Sequence, residues 1–185
     1  FLEKEPKASI VHDPRVVWNI RDIIREKGGV SVCSKTGHAF IKQAMRQAKA
    51  AYGGELSAHH YFRNFSYCDS GMIPWLLVLE LVSVTDSSLG SLINKSYTRF
   101  PSSGEMNFKI KNPDKILSLI KRQYLPACID HSSVDGVSLE FNDWRFNLRK
   151  SNTEALLRLN VECKDDILLL RKKITELSKV INSAN

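Results

Sequence analysis

ASIVHDPRVVWNIRDIIREKGGVSVC, residues 8–33, is the stretch on which the reading of the fold turns. Ala8-Ser9-Ile10-Val11-His12 is a short run of strand character. Asp13-Pro14 then reads as an N-cap and the first helical position, where proline gives up a donor that has no intrahelical partner anyway. Val16, Ile20, Ile23 and Ile24 recur at helical spacing, and Gly28-Gly29 ends the run. Val30 to Cys33 supplies a second short strand. Strand, helix and strand joined by short loops make a parallel pair with the helix crossing one face.

The pattern continues outward. A second helix follows Thr36 with Phe40, Ile41, Met45 and Ala48 on one face, and a third strand covers about 52–57. The next helix has Pro74 early and Trp75, Leu76, Leu77, Leu79, Leu81 and Val82 around it. Apolar almost all round, it is expected to be buried. A shorter helix spans about 88–97, and Phe100-Pro101-Ser102-Ser103-Gly104 reads as a linker. Beyond it Asn112-Pro113 caps a helix carrying Ile116, Leu117 and Ile120. Three segments then alternate apolar and polar residues: Val137 to Phe141, Trp144 to Leu148 and Ala155 to Val161. Asn142-Asp143 supplies a hairpin turn, and a helix with Ile167, Leu170, Ile174, Leu177 and Ile181 follows. The expected fold is an α/β domain, 1–103, with a mainly parallel sheet covered by helices. A smaller α+β domain with an antiparallel sheet, 104–185, follows it.

Composition narrows the function classes. With 185 residues, 43% of them hydrophobic and 25% charged, the chain can bury a real core and is not a disordered or collagen-like sequence. The longest apolar run, Met72 to Val84, falls short of the ~20 residues of a membrane span, and Glu80 interrupts it. Nothing in the first residues reads as a signal peptide, and neither that nor a membrane partner is expected. The net charge of +7 is spread evenly: 13 Lys and Arg against 9 Asp and Glu in residues 1–103, then 14 against 11. With no basic tail, nucleic acid is not an expected partner. Cys33, Cys68, Cys128 and Cys163 form no C-x-x-C pair, which fits reduced thiols of a cytoplasmic protein. Phe1 rather than Met at the start is the expectation for an excised or processed piece.

Four segments could carry chemistry. Gly53-Gly54-Glu55-Leu56-Ser57-Ala58-His59-His60 crowds polar and titratable groups at the end of an apparent parallel strand, where ligands of α/β sheets bind. Glu55 and Ser57, two apart on an extended chain, would point the same way, and a carboxylate beside a hydroxyl suits a sugar's vicinal hydroxyls. The same residue types also serve as ordinary caps. His59 and His60 are adjacent and face opposite ways, so they make no zinc site, and no metal ligands are expected. Arg15 falls in the first turn of its expected helix, where the macrodipole disfavours a cation, so either a task or a surface ion pair keeps it there. His38 falls in the first turn of the second helix, whose positive end favours the neutral imidazole that a general base needs. Arg149-Lys150-Ser151-Asn152-Thr153-Glu154 joins two strands and combines loop amides, hydroxyls and a guanidinium, either as a phosphate cradle or as a plain hairpin loop.

Together, K-T-G-H with F-I-K (35–42), G-G-E-L-S-A-H-H (53–60) and D-W-R-F-N-L-R-K-S-N-T-E (143–154) resemble the C-terminal half of the phosphohexomutases, most closely the bacterial phosphomannomutase/phosphoglucomutase branch. The resemblance covers about 10–185. It implies a four-domain parent whose third domain holds the sugar hydroxyls and whose fourth grips the non-reacting phosphate. By resemblance Glu55 and Ser57 take the sugar role, and Arg149, Ser151, Asn152 and Thr153 the phosphate role. Arg15, His38 and His59 match catalytic positions. Ala58 stands where the family often has Gly, and Ala155 where it often has Pro.

The resemblance also implies what lies elsewhere. The family's phosphorylated serine sits on a T-x-S-H-N-P-type loop and its magnesium ligands on a D-G-D-x-D-R loop. Neither string occurs here. The implied activity is interconversion of mannose 6-phosphate and mannose 1-phosphate through a hexose bisphosphate. Magnesium and the first two domains of the same polypeptide would be the partners, and this chain alone would be inactive. A non-catalytic sugar-phosphate-binding or interaction module is the alternative, and the reading frame upstream of Phe1 discriminates the two.

Overall fold

The structure, a computed structural model, describes residues 1–151 and 154–183. Its contacts divide into two compact units, Phe1–Tyr97 and Thr98–Asn185.

In the first unit β1 (Ser9–His12) lies between β2 (Val30–Cys33) and β3 (Tyr52–Gly54), parallel to both. Two antiparallel strands, β4 (His60–Phe62) and β5 (Cys68–Asp69), extend the sheet beyond β3. Alternation along β1 explains the layers. Ile10 packs with Ile24 of α1 (Trp18–Glu26), whereas Val11 packs with Ile41 and Met45 of α2 (His38–Ala48). Successive side chains leave opposite faces of a strand, so one helix covers each face. The expected mixed, mainly parallel sheet with helices is present.

Three expectations for this unit are corrected. α1 starts at Trp18 with Val17 as its N-cap, so Asp13 caps nothing and Arg15 precedes the helix. The dipole argument for Arg15 therefore fails. β3 ends at Gly54, and Glu55 to Ser57 form a turn rather than an extended strand. Most of all, α3 (Met72–Thr85), apolar all round, has no buried residue: Trp75 and Leu76 are each 55% exposed. Burial was inferred from composition, but the described residues shield only Ile73, Pro74 and Val82 of this helix in part. α4 (Leu89–Arg99) follows it. Among the described residues no single helix is long and apolar enough to cross a membrane.

The second unit is an antiparallel sheet in the order β6-β10-β9-β8-β7, with β6 at Met106–Lys109, β7 at Asp130–Ser132, β8 at Val137–Glu140, β9 at Trp144–Lys150 and β10 at Leu156–Cys163. α5 (Pro113–Tyr124) and α6 (Ile167–Ser183) share one core with Phe146, Leu148, Leu157, Leu159 and Val161. Asn112 caps α5 as expected, accepting the Lys115 N–H at 3.1 Å. Phe141 N–H donates to the Trp144 carbonyl across the Asn142-Asp143 turn, closing the expected hairpin.

The opposite set of positions on β9 and β10 is polar and ionic, and it too is buried except for the partly exposed Arg158. Arg145 stands opposite Glu162, Asn147 opposite Asn160, and Arg149 opposite Arg158. Residues 100–104, expected as a free linker, belong to this unit. Phe100 is buried, Ser103 N–H donates to Val161 O at 2.8 Å, and Cys163 N–H donates to Pro101 O at 3.0 Å. Paired backbone holds the segment along β10.

Candidate active site

Residues with chemistry gather at one end of the first sheet. Asp13, Ser34 and Glu55 follow the carboxyl ends of β1, β2 and β3, and the level register (His12 opposite Cys33 and Gly54) brings those ends together. α2 begins there with His38, β4 begins there just after His59, and β5 ends there with Asp69.

Asp13 braces the site. Its Oδ1 accepts the Arg15 N–H at 2.8 Å, and its Oδ2 accepts both the Arg15 guanidinium and the Leu56 N–H at 2.7 Å. Arg15, only 4% exposed, is thereby turned toward the 55–59 turn, where it donates to Ser57 Oγ at 3.3 Å and lies 3.9 Å from Glu55 Oε2. Glu55 and Ser57 are thus brought together through Arg15 and not through strand alternation. Backbone bonds close the turn, from Ala58 N–H to Glu55 O and from Glu55 N–H to His59 O, both 3.0 Å.

Glu55 is buried, and its carboxylate is held at both ends. Oε1 accepts from Tyr61 Oη at 2.6 Å and Oε2 from the Gly37 N–H at 3.1 Å. Burial, then the bond to Glu55, pushes the Tyr61 phenol well above its ordinary value, so Tyr61 remains the donor. Each carboxylate oxygen keeps a further lone pair for a ligand hydroxyl. A cavity of about 180 Å³ adjoins Glu55, lined by Asp13, Ile20, Tyr52 and Leu56 among others.

The two histidine rings meet edge to face, with His38 and His59 centroids 4.4 Å apart, and His38 also rests on Tyr61 at 5.4 Å. His59 Nδ1 is 2.7 Å from Asp69 Oδ2, while Asp69 Oδ1 accepts the His60 N–H at 2.9 Å. Burial works against the Asp69 carboxylate, but these hydrogen bonds outweigh it and hold the acid below its ordinary value. His60 turns away, its Nδ1 lying 2.6 Å from Tyr52 Oη.

In the second unit Arg149 is a residue of β9, not of a loop, and is 3% exposed. Like charges facing each other across a ladder repel, and Glu105 answers both: its Oε2 takes Arg149 at 3.0 Å and its Oε1 takes Arg158 at 2.9 Å. Ser151 donates its N–H to Leu156 O at 2.9 Å and accepts the Glu154 N–H on Oγ at 3.3 Å. Asn152 and Thr153 lie outside the described residues.

Sequence reasoning singled out Arg15, His38, Glu55, Ser57 and His59, and the fold places all five at this one end of the sheet. It missed Tyr61 and Asp69, and it took Asp13 for a cap. Asp13 carried a usable signal, an acidic residue just past a parallel strand. Tyr61 and Asp69 carried none. Magnesium asks for a shell of oxygens. Among the described residues the one trio of possible ligands is His38, His59 and Asp69, two imidazoles and one carboxylate, so these residues do not fit a resident magnesium ion.

Comparison with known proteins gives a consistent result. Residues 1–100 match the family model of phosphoglucomutase/phosphomannomutase, alpha/beta/alpha domain III, and residues 105–173 match its C-terminal domain. A phosphomannomutase of Vibrio cholerae is 57% identical over 98% of this chain and 39% of its own length. One of Escherichia coli K12 is 50% identical over 98% of this chain and 40% of its own length. The crystal structure of a phosphoglucomutase/phosphomannomutase family protein from Burkholderia thailandensis superposes with a TM-score of 0.80 at 25% identity, covering 99% of this chain and 39% of that one. The chain thus spans about two fifths of the length of the curated relatives it matches.

Proposed function

Because the chain belongs to the phosphoglucomutase/phosphomannomutase family and carries its domain III and C-terminal domain, we propose that it supplies the sugar-holding and phosphate-holding parts of a phosphomannomutase. The parent would interconvert mannose 6-phosphate and mannose 1-phosphate through a hexose bisphosphate. The serine that carries the phosphoryl group and the oxygen ligands for magnesium would come from the rest of that polypeptide.

The observation that carries the reading is the convergence of Glu55, Ser57, Arg15, His38 and His59 at the carboxyl ends of β1 to β3, with Asp13 bracing them. Phosphoryl transfer is mostly positioning and charge neutralisation. Glu55 would accept hydrogen bonds from two ring hydroxyls on its remaining lone pairs while Tyr61 and Gly37 hold it still. Arg15 would place positive charge near the reacting oxygen. His59, oriented by Asp69, would take or return the hydroxyl proton, with His38 beside it. Residues 1–103 would read hydroxyls. Residues 104–185 would hold the non-reacting phosphate through Arg149, Ser151, Asn152 and Thr153, the phosphate competing with Glu105 for the Arg149 guanidinium.

The test has two arms. With magnesium and catalytic bisphosphate, this chain should not turn over mannose 1-phosphate; turnover would sink the assignment of the phosphoserine to another part of the polypeptide. In calorimetric titration with mannose 6-phosphate, Arg149→Ala should weaken binding by ~1.5–3 kcal/mol, the usual worth of a charge-assisted hydrogen bond. If Arg149→Ala and Glu55→Ala both bind like the parent chain, the residue assignment is wrong.

A further inference from the structure

His38 opens α2, His59 precedes β4 and Asp69 ends β5, separated in sequence by 21 and 10 residues, yet one ligand atom from each lies within 4.8 Å of the others. We propose that this trio is a site for a late first-row divalent ion of the zinc class, distinct from any magnesium used in phosphoryl transfer. The proposal stands on the cluster alone and does not rest on the catalytic reading of the histidines.

The donor set selects the ion. Two imidazoles and one carboxylate are the three protein ligands of an open zinc site, with water in the fourth position. Magnesium and calcium favour all-oxygen shells and are disfavoured here. Bonds of about 2.0–2.2 Å in a tetrahedron place ligand atoms about 3.4 Å apart, so His59 Nδ1 and Asp69 Oδ2 have to open by about 0.7 Å from 2.7 Å while the widest pair closes by no more than about 1.4 Å. His38 can make that movement, because it is exposed and opens α2.

The other two ligands are already held. Asp69 pairs with Tyr61 in the β4–β5 ladder, and its Oδ1 is fixed by the His60 N–H. That leaves Oδ2 against His59, 2.7 Å from Nδ1. Outer hydrogen bonds of this kind orient the ligands of metal sites. The ion would take the place of the proton between His59 Nδ1 and Asp69 Oδ2, and the neutral imidazole would then carry its proton on Nε2. Behind the rings stands Tyr61, against which His38 rests and which Glu55 fixes in turn.

A rival ligand is the half-exposed thiol of Cys68, next to Asp69 in sequence but on the other face of its short strand. Calorimetric titration of the 185-residue chain with zinc chloride should show one site, and magnesium chloride should show none. His38→Ala and His59→Ala should each weaken zinc binding at least tenfold. Cys68→Ser and His131→Ala, the latter at an exposed histidine of the second unit, should leave it unchanged. Cobalt in place of zinc should give a visible spectrum of nitrogen and oxygen ligation without a thiolate charge-transfer band. Circular dichroism confirms that each variant is folded, and since His38 is exposed, His38→Ala retains the fold. Zinc binding that survives the double histidine change, a thiolate band, loss of binding on Cys68→Ser, or equal binding of magnesium would each overturn the site.

Discussion

Ala58 has φ of 62°, in the left-handed region that a Cβ disfavours, and its N–H closes the turn under Glu55. Left-handed backbone costs a non-glycine residue roughly 1–2 kcal/mol, of which glycine's extra unfolded freedom returns about 0.5–1. Ala58→Gly should therefore stabilise the chain by about 0.5–1 kcal/mol in urea unfolding; a loss of stability would mean that the methyl group packs. A second residue-scale prediction concerns pH. Burial pushes the His60 imidazole below its ordinary value against the pull of Asp69, and burial pushes the Tyr52 phenol up to about 12. The two are hydrogen-bonded at 2.6 Å. As pH falls below about 6.5 the unfolded chain takes up His60's proton first, so stability declines toward the folded value. As pH rises from about 10 to 12 the unfolded chain loses Tyr52's proton first, so stability declines again. His60→Gln should remove the fall that sets in below about pH 6.5. An unchanged acid limb in that variant would refute the assignment.

At the scale of elements, Gly136 governs how β8 meets β9. Its φ is 77°, and a Cβ there would lie 2.4 Å from Leu148 O and 2.7 Å from Arg149 Cα, both backbone atoms of β9. Gly136→Ala should cost more than about 2 kcal/mol, from backbone strain plus the displaced strand. It should also weaken the proposed phosphate binding by moving Arg149. Thermal melts and phosphate titration of the variant check both effects. The parallel β1-α1-β2-α2-β3 core was legible because its strands are β-rich runs and its helices carry periodic apolar faces between glycine stops. The β8–β9 hairpin was legible from its alternation and its Asn-Asp turn. β4 and β5, of three and two residues, are too short for a period to register. β6, a short alternation, and β7, a polar edge, carried too little pattern to be assigned. Within the site, Glu55, Ser57 and His38 stood out as polar residues at strand and helix ends. Asp13 did not, since its bond to Leu56 spans 43 residues and local sequence favoured a cap. The ionic face of β9 was hidden for a related reason: Arg149 looks like a loop cation until its partner Glu105, 44 residues away, is in place.

For the molecule as a whole, the distribution of exposed apolar surface sets how it will be attacked. Phe100 is 9% exposed and flanked by backbone paired to β10, whereas Trp75, Leu76 and Leu79 of α3 are each about half exposed. Segments with little burial open locally at small free-energy cost, and proteases cut what opens. Chymotrypsin should therefore cleave within α3 well before Phe100, as mass spectrometry of the early fragments would show; a first cut at Phe100 would contradict this order. The same helix has a consequence inside a cell. Quality-control machinery recognises unfinished chains by contiguous apolar surface, and not by whether their hydrogen bonds are formed. With both sheets complete, α3 still presents that signature. The lifetime of this polypeptide would then be decided by holdases and proteases rather than by the stability of its sheets.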